Sequence, residues 1–520
     1  MPPSSDKIVA SLSVSLLLLS LAHLASCARI LGVFPHIGKS HFDVFEPLMK
    51  TLAERGHEVS VLSHFPLSNP PANYTNLSVK GSFVGFSPTG QVKMNESYGE
   101  SGLMNSVKLS QIGVASCELV LSHPNAQRLI HSKEKFDLII TELFNTDCFL
   151  GFVHKFQAPH VALSSCVLMP WSNHRFANPD NPSYIPVVFH HFSDKMSFTE
   201  RLMNAFYYIM QHVLYDVLYD NPSQKIARKY FGESLPPLQE IARNTSMLLV
   251  NSHFSLNRPR PLVPAIVEVG GIHIPPLQRL PQDLQKFLDE AKEGVIYFNM
   301  GSMIRAASFH EDKRTAFMEA FSELPFKVLW KWEEPMPGQP SNVKISSWLP
   351  QNDILNHPNV KLFIGHGGLL GTIEAASAGV PMIGIPVFGD QRANVRNIVS
   401  IGMAVHLEYN TINKQSVLRT VNEVLENPSY RETAKKISQA YKDRPVKPMD
   451  EAVFWVEYVI RHRGADLMRT AANELNLFQY LLLDVISVAL LGVFLIILVV
   501  YLALSKLKSY ANIVAKLKSH

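Results

Sequence analysis

The chain has 520 residues, 47% of them hydrophobic and 18% charged, and its 48 Lys plus Arg against 44 Asp plus Glu leave a formal charge of only +4. These proportions exclude a disordered or collagen-like chain and leave room for two or three globular units at roughly 100–200 residues each. A nucleic-acid partner is disfavoured, because such surfaces carry a clear basic excess.

Lys7 precedes a mostly apolar run from Ile8 to Leu24, and Ser26 and Ala28 then supply the small residues of a secretory cleavage site. Residues 1–28 therefore read as a signal peptide that delivers the body to a lumen. From Arg29 the chain alternates short β-rich runs with longer amphipathic stretches: RILGVFP, DVFEPLMKTLAERG and HEVSVLS predict a strand, a helix and a strand. The alternation continues through FDLIIT, APHVALSS and SMLLVNS, then resumes in GVIYFNMGS, FKVLWKW, KLFIGHGG and PMIGIP. Between the two series, Gly270, Gly271, Pro275, Pro276 and Pro281 cluster in a stretch unsuited to a helix interior or central strand. The fold class expected is α/β, two doubly wound parallel sheets facing one another across a cleft, at 29–272 and 273–449. Residues 450–476 are expected to return toward the first domain.

Asn73, Asn76, Asn95 and Asn244 each begin an Asn-x-Ser/Thr sequon. Of four cysteines, Cys27 falls in the signal, leaving three, an odd number too sparse for a disulfide framework, so the fold is expected to rest on its core. Val485–Leu504 is 20 uninterrupted uncharged residues, about what a 30 Å hydrocarbon layer needs at 1.5 Å per residue, and predicts one membrane-spanning helix. The tail 505–520 carries Lys506, Lys508, Lys516 and Lys518 without an acid, so the whole charge excess sits there. With the body lumenal this tail is cytosolic; KLKSH resembles a lysine-based retrieval signal of the endoplasmic reticulum, and contact with anionic lipid is the alternative.

The most informative segment runs from Phe363 to Asn394. A strand ends in Gly365-His366-Gly367-Gly368 and a helix follows, so backbone N–H groups at the helix start can hold a phosphate. His366 can donate to a phosphate oxygen and Glu374 can accept from sugar hydroxyls. Leu370 breaks the G-x-G-x-x-G dinucleotide fingerprint and no G-K-[ST] loop occurs, which disfavours a hydride-carrier enzyme or ATPase. Taken alone, the Gly-His-Gly-Gly turn reads equally well as a tight strand-to-helix connection.

The whole segment resembles the donor-binding signature of the UDP-glycosyltransferase family, closest to its insect members, with His366, Gly367, Gly368, Gly371, Glu374, Pro381, Pro386, Asp390 and Gln391 at the family spacing. The resemblance extends over nearly the whole chain and implies the two-domain GT-B fold, with the acceptor bound by the first domain and the UDP-sugar by the second. It further implies Trp348 stacked on the uracil, Gln351 bonded to it, Ser302 at the diphosphate, and Asp390 and Gln391 on the hexose. Many relatives carry Asn where Leu370 stands, so one polar donor contact is expected to be missing or replaced.

In FPHIGKSHFDVF the resemblance marks His41, placed in the loop after the first strand, as the general base that takes the acceptor's proton. The orienting acid is Glu142 by position or Asp147 by side-chain type. The reaction implied is an inverting single displacement at the anomeric carbon, giving a β-glycoside with UDP leaving. No metal or cofactor is expected, since no D-x-D pair occurs and the UDP-sugar is a co-substrate. Acceptors are expected to be small lipophilic alcohols or phenols, bound by the aromatic-rich region from Met94 to Tyr230, as in detoxification or the conjugation of hormones and pigments. Glucose is favoured over glucuronate as the donor sugar by resemblance to the insect members. The expected setting is the endoplasmic reticulum membrane, single-pass with the body lumenal, and a homo-oligomer is compatible with it. The other reading is a catalytically silent lipophile-binding membrane glycoprotein on the same fold.

Overall fold

The computed structural model describes residues 27–83, 94, 102–190 and 192–519. The signal segment up to residue 26 and the sequon at Asn95 lie outside these. Residues 29–268 build a seven-stranded parallel sheet from β1 (Arg29–Phe34), β2 (Glu58–Ser63), β3 (Tyr74–Ser78), β4 (Leu138–Glu142), β5 (His160–Ser164), β6 (Met247–Val250) and β7 (Ile266–Glu268), in the order β3-β2-β1-β4-β5-β6-β7. Residues 295–406 build a six-stranded parallel sheet from β8 (Val295–Asn299), β9 (Lys327–Lys331), β10 (Val343–Ser346), β11 (Val360–Gly365), β12 (Met382–Gly384) and β13 (Ala404–His406), in the order β10-β9-β8-β11-β12-β13.

The composition of the strands explains the layering. Ile30, Leu31, Val33, Leu138, Ile139, Ile140, Val161 and Leu163 are all buried, because helices cover both faces of the first sheet, and Val295, Ile296, Tyr297 and Phe298 repeat this in the second. In each sheet the strand order reverses once, at β1/β4 and at β8/β11, which opens a crevice beyond the carboxyl ends of those strands.

Helix α1 (Lys39–Glu54) follows β1 and buries Phe45, Leu48 and Leu52. His41 lies in its first turn, one difference from the loop position expected from sequence, because the helix starts directly after Gly38. Helix α2 (Gly102–Leu121) and helix α3 (Phe198–Leu214) flank the same half, followed in the second by α4 (Leu369–Ala378) and α5 (Gln391–Ser400). Tyr441 donates its hydroxyl to the Gly270 carbonyl at 2.7 Å, tying the connecting segment to the second half. Helix α6 (Pro448–His462) returns to the first half, where Val453, Val456 and Val459 share a core with Phe45, Leu48 and Leu52, and Glu457 accepts from Arg55 Nε at 2.7 Å.

Cys117 of α2 and Cys148 form a disulfide across 31 residues, which corrects the expectation of a fold resting on its core alone. Three cysteines gave no pairing by count; the pair forms because α2 packs beside the turn that follows β4.

Residues 470–520 form a separate unit dominated by α7 (Leu483–Lys518), whose 36 residues include an 18-residue window of mean hydropathy 3.1. The helix continues beyond Leu504 through the basic stretch. Its length and composition suffice to cross a membrane.

Candidate active site

One cavity of about 460 Å³ lies between the carboxyl edges of the two sheets, lined from the first by His41, Leu109, Phe144 and Met169 and from the second by Ser302, Trp348, His366 and Asp390. His41 brings its Nδ1 within 2.5 Å of Glu142 Oε1, which stands at the last position of β4 beside β1. Ser165, just past β5, donates its hydroxyl to the same carboxylate oxygen at 3.2 Å and lies 2.8 Å from His41 Nδ1. With Nδ1 engaged, Nε2 is the ring nitrogen left for a substrate proton. The His36 ring stacks on His41 with centroids 4.0 Å apart, and Phe144 meets His41 edge-on at 4.6 Å.

Burial dominates the electrostatics of this pair. It pulls His41 down to about 3 and pushes Glu142 up to about 7. A helix N-terminus under His41 likewise disfavours an imidazolium. The imidazole is therefore neutral at physiological pH, the state a general base requires. Asp147, the other acid considered, is bonded to Arg175 and to the Tyr215 hydroxyl, all three buried, and is bonded to no atom of His41. It holds a structural ion pair, so the structure corrects its assignment as orienter.

In the second half, His366 is wedged between Gly301 and Gly368, where any Cβ would collide with the ring, and Gly301 also has φ +79°. Burial first, then the nearby Lys331 cation, pull His366 down to about 4, leaving a neutral ring with one N–H to donate. Helix α4 has Gly368 at its N-cap, with no side-chain cap and no acid in its first turn, so its leading N–H groups are open to an anion. Gly367 adopts φ +78°, with Val395 pressed against it, a turn that brings this helix start against the strand end. Ser302 follows β8 on the cavity wall. Lys331, at the end of β9, reaches the same wall while donating to the Gly301 carbonyl at 3.1 Å and to Glu333 at 2.9 Å.

Trp348 is 69% exposed at the rim, a platform for a planar ring. Gln351 is turned inward: its Nε2 donates to Glu374, while its Oε1 accepts from Asn299 at 2.7 Å and Tyr297 at 3.2 Å. Its amide thus orients Glu374, whose carboxyl burial pushes up to about 7. Asp390 Oδ2 accepts from Asn394 at 3.0 Å, and burial raises this carboxyl. Gln391 Oε1 is locked by the Val387 and Phe388 N–H groups at 2.8 and 3.2 Å, so its amide nitrogen is the end left for a ligand. Gly371 lies in the first turn of α4 on the cavity wall, as does Leu370 in place of a polar side chain.

Only part of the region from Met94 to Tyr230 lines the cavity. Asn105, Lys108, Leu109 and Ile112 of α2 line the cavity with Phe144 and Phe189, whereas Trp171 of the PWSNHRF segment is buried and stacked on Tyr215 at 4.9 Å. Sequence reasoning missed His36, Ser165, Asn299 and Lys331. Each follows or ends a strand at the ligand-binding edge of its sheet, which was the available signal. Among the described residues, no cluster of three His, Cys, Asp or Glu side chains is arranged to hold a metal ion.

A family profile described as UDP-glucoronosyl and UDP-glucosyl transferase matches residues 21–519. The chain is 43% identical over 500 residues to UDP-glycosyltransferase UGT5 of Dactylopius coccus, covering 94% of this chain and 93% of the relative. It is 44% identical over 469 residues to UDP-glucosyltransferase 2 of the same organism, covering 88% and 89%. The crystal structure of UDP-glucose:anthocyanidin 3-O-glucosyltransferase in complex with UDP superposes with a TM-score of 0.54 at 18% identity, over 84% of this chain and 100% of that one, a likeness of fold.

Proposed function

Since the chain belongs to the family of UDP-glucuronosyl and UDP-glucosyl transferases and is a UDP-glycosyltransferase of GT-B fold, we propose that it transfers glucose from UDP-glucose to a hydroxyl of a small lipophilic acceptor with inversion. The observation that carries this reading is the convergence on one cavity of a neutral, acid-backed His41 from the first sheet and an anion-binding turn around His366 from the second.

In the proposed reaction His41 Nε2 accepts the acceptor hydroxyl's proton while the Nδ1–H donates to Glu142, which stabilises the imidazolium that forms. The oxygen attacks the anomeric carbon, the bond from that carbon to the diphosphate oxygen breaks, and UDP departs with the electron pair. Charge on the leaving diphosphate is met by the α4 N–H groups, His366, Ser302 and Lys331, so no divalent cation is invoked. Trp348 stacks on the uracil, Glu374 held by Gln351 accepts from the ribose, and Asp390 with Gln391 holds the hexose hydroxyls. Leu109, Ile112, Phe144, Met169 and Phe189 give the acceptor side an apolar wall, which supports lipophilic substrates.

We place the body in the lumen of the endoplasmic reticulum with α7 as a single membrane anchor. The Cys117–Cys148 disulfide supports an oxidising compartment. Purified full-length protein given UDP-glucose or UDP-glucuronate and a panel of phenols should release UDP well above a His41→Ala control, fastest with UDP-glucose. No release above that control refutes the reading.

A further inference from the structure

The loop from Pro35 to Gly38, between β1 and α1, carries a second imidazole beside His41. Gly38 donates its backbone N–H to His36 Nδ1 at 2.9 Å. A backbone N–H can only donate, so Nδ1 holds a lone pair and the proton of the neutral ring sits on Nε2. Burial first, then His41, pull His36 down to about 3, which keeps the ring neutral. With Glu142 ionised, His41 has the opposite tautomer, because its Nδ1 faces that carboxylate at 2.5 Å and its Nε2 carries the lone pair. The two rings stack with centroids 4.0 Å apart and planes 21° from parallel, and Phe144 closes on both edge-on, 5.2 Å from His36 and 4.6 Å from His41. Gly38 is packed against the stack: a Cβ there would come within 2.9 Å of the His36 ring and 3.3 Å of the His41 ring. The loop is pinned at Pro35, whose carbonyl accepts from Ser116 Oγ at 3.2 Å and lies 3.0 Å from His64 Nε2. Both stacked rings line the cavity, and among the described residues His36 Nε2 bonds to no protein atom. It is open to the cavity.

We propose that His36 selects acceptors with a second oxygen beside the reacting hydroxyl, donating its Nε2–H to that oxygen while His41 Nε2 takes the hydroxyl proton. The inference rests on the transfer reading above and names the acceptor class within it: ortho-oxygenated phenols such as catechols, 2-alkoxyphenols and ortho-hydroxy aryl ketones. Their chemistry matches the pair of rings. The reacting hydroxyl donates and its neighbouring oxygen accepts, and the stack offers an acceptor and a donor side by side. With centroids only 4.0 Å apart, hydrogen bonds of about 2.8–3.0 Å to the two nitrogens reach oxygens a few ångströms from one another, as oxygens on adjacent ring carbons are. No bond to His36 forms or breaks, so the transfer itself is unchanged and His36 determines specificity only. Selection follows from the surroundings, since Leu109, Ile112, Phe144 and Met169 make the rest of this wall apolar. An acceptor without the second oxygen displaces water from the His36 N–H and leaves that donor unpaired, which disfavours its binding.

The test gives the full-length chain phenols matched in size, with whichever of UDP-glucose and UDP-glucuronate it uses. In the wild type, kcat/KM for 2-methoxyphenol should exceed that for 2-ethylphenol and for 4-methoxyphenol about fivefold or more. The ethyl compound keeps the ortho bulk and loses only the oxygen; the 4-methoxy isomer keeps the oxygen and moves it out of reach. Equal efficiency with all three overturns the proposal without any variant. His36→Phe keeps an aromatic ring to stack on His41 and removes the N–H, so the ratio of 2-methoxyphenol to 2-ethylphenol should fall to about one. A structural role for His36 would slow both substrates alike, and a ratio that survives in His36→Phe overturns the proposal in favour of another donor. The two readings fail separately: no turnover of any phenol with either UDP-sugar refutes the transfer reading, whereas turnover without a preference for the ortho oxygen refutes only the role of His36.

Discussion

In the proposed reaction the protonation of Glu142 decides which ring nitrogen of His41 can act. As a carboxylate, Glu142 accepts from Nδ1–H and leaves Nε2 basic; as a carboxylic acid it donates to Nδ1, so the ring's proton moves to Nε2 and blocks it. Burial sets this change at about 7, with His41 held neutral far below it by its own burial. Turnover should therefore rise with pH through about 7, and a pH profile of kcat/KM should show that single acid limb. Glu142→Gln should lower kcat by about 10- to 1,000-fold and flatten the limb, and His41→Ala should cost about 10²–10⁴-fold. Asp147→Ala should act differently: leaving Arg175 buried and uncompensated costs about 3–5 kcal/mol, visible as a lower Tm, while the pH limb persists. The two acids stand five residues apart after one strand, so the sequence alone could not separate them. Their separation depends on β4 stopping at Glu142, and on Arg175 and Tyr215 arriving from 28 and 68 residues further along the chain to engage Asp147. His366, Glu374 and Asp390 were legible because the strand, turn and helix that carry them are local. Lys331 and Ser165 carried only the weaker signal of standing at a strand's carboxyl end, since the order of strands in the sheet decides which ends reach the cavity.

Elements were legible where periodicity and burial agree. The strands of both sheets read as short apolar runs, and α4 follows its Gly-rich turn as expected, starting at Leu369. Helix α3 defeats that logic: its apolar period is clear, but the period cannot say that the stripe faces outward, because the decision is made by Asn204 and Gln211 bonding to partners distant in sequence. The disulfide was equally invisible to counting. Replacing Cys117 and Cys148 by Ser should lower stability by about 3–4 kcal/mol in the chain-entropy account, read as a fall in Tm that dithiothreitol reproduces in the wild type. Among the described sequons, Asn73 and Asn244 are exposed, whereas Asn76 sits in β3 with its amide bonded both ways to the Leu67 backbone at 2.9 Å. Mass spectrometry of glycopeptides should find glycan at Asn73 and Asn244 and little at Asn76.

At the scale of the molecule, the charge balance of the body is even, and the four surplus lysines all belong to the stretch that continues α7. With the body in the lumen, protease added to sealed vesicles should remove an epitope fused after His520 and spare the body until detergent is added; the reverse pattern would invert the proposed orientation. The chain also passes between the two halves twice, forward through the segment around Gly270 and back in α6. That return has a consequence for biosynthesis. The core around Phe45, Leu48 and Leu52 lacks Val453, Val456 and Val459 until some 400 further residues have been made, which at about 5–20 residues per second is roughly 20–80 s. Through that interval the nascent first domain presents an open apolar face, so chaperones have their longest purchase on α1, and ribosome-bound chains halted before Pro448 should remain chaperone-bound and protease-sensitive.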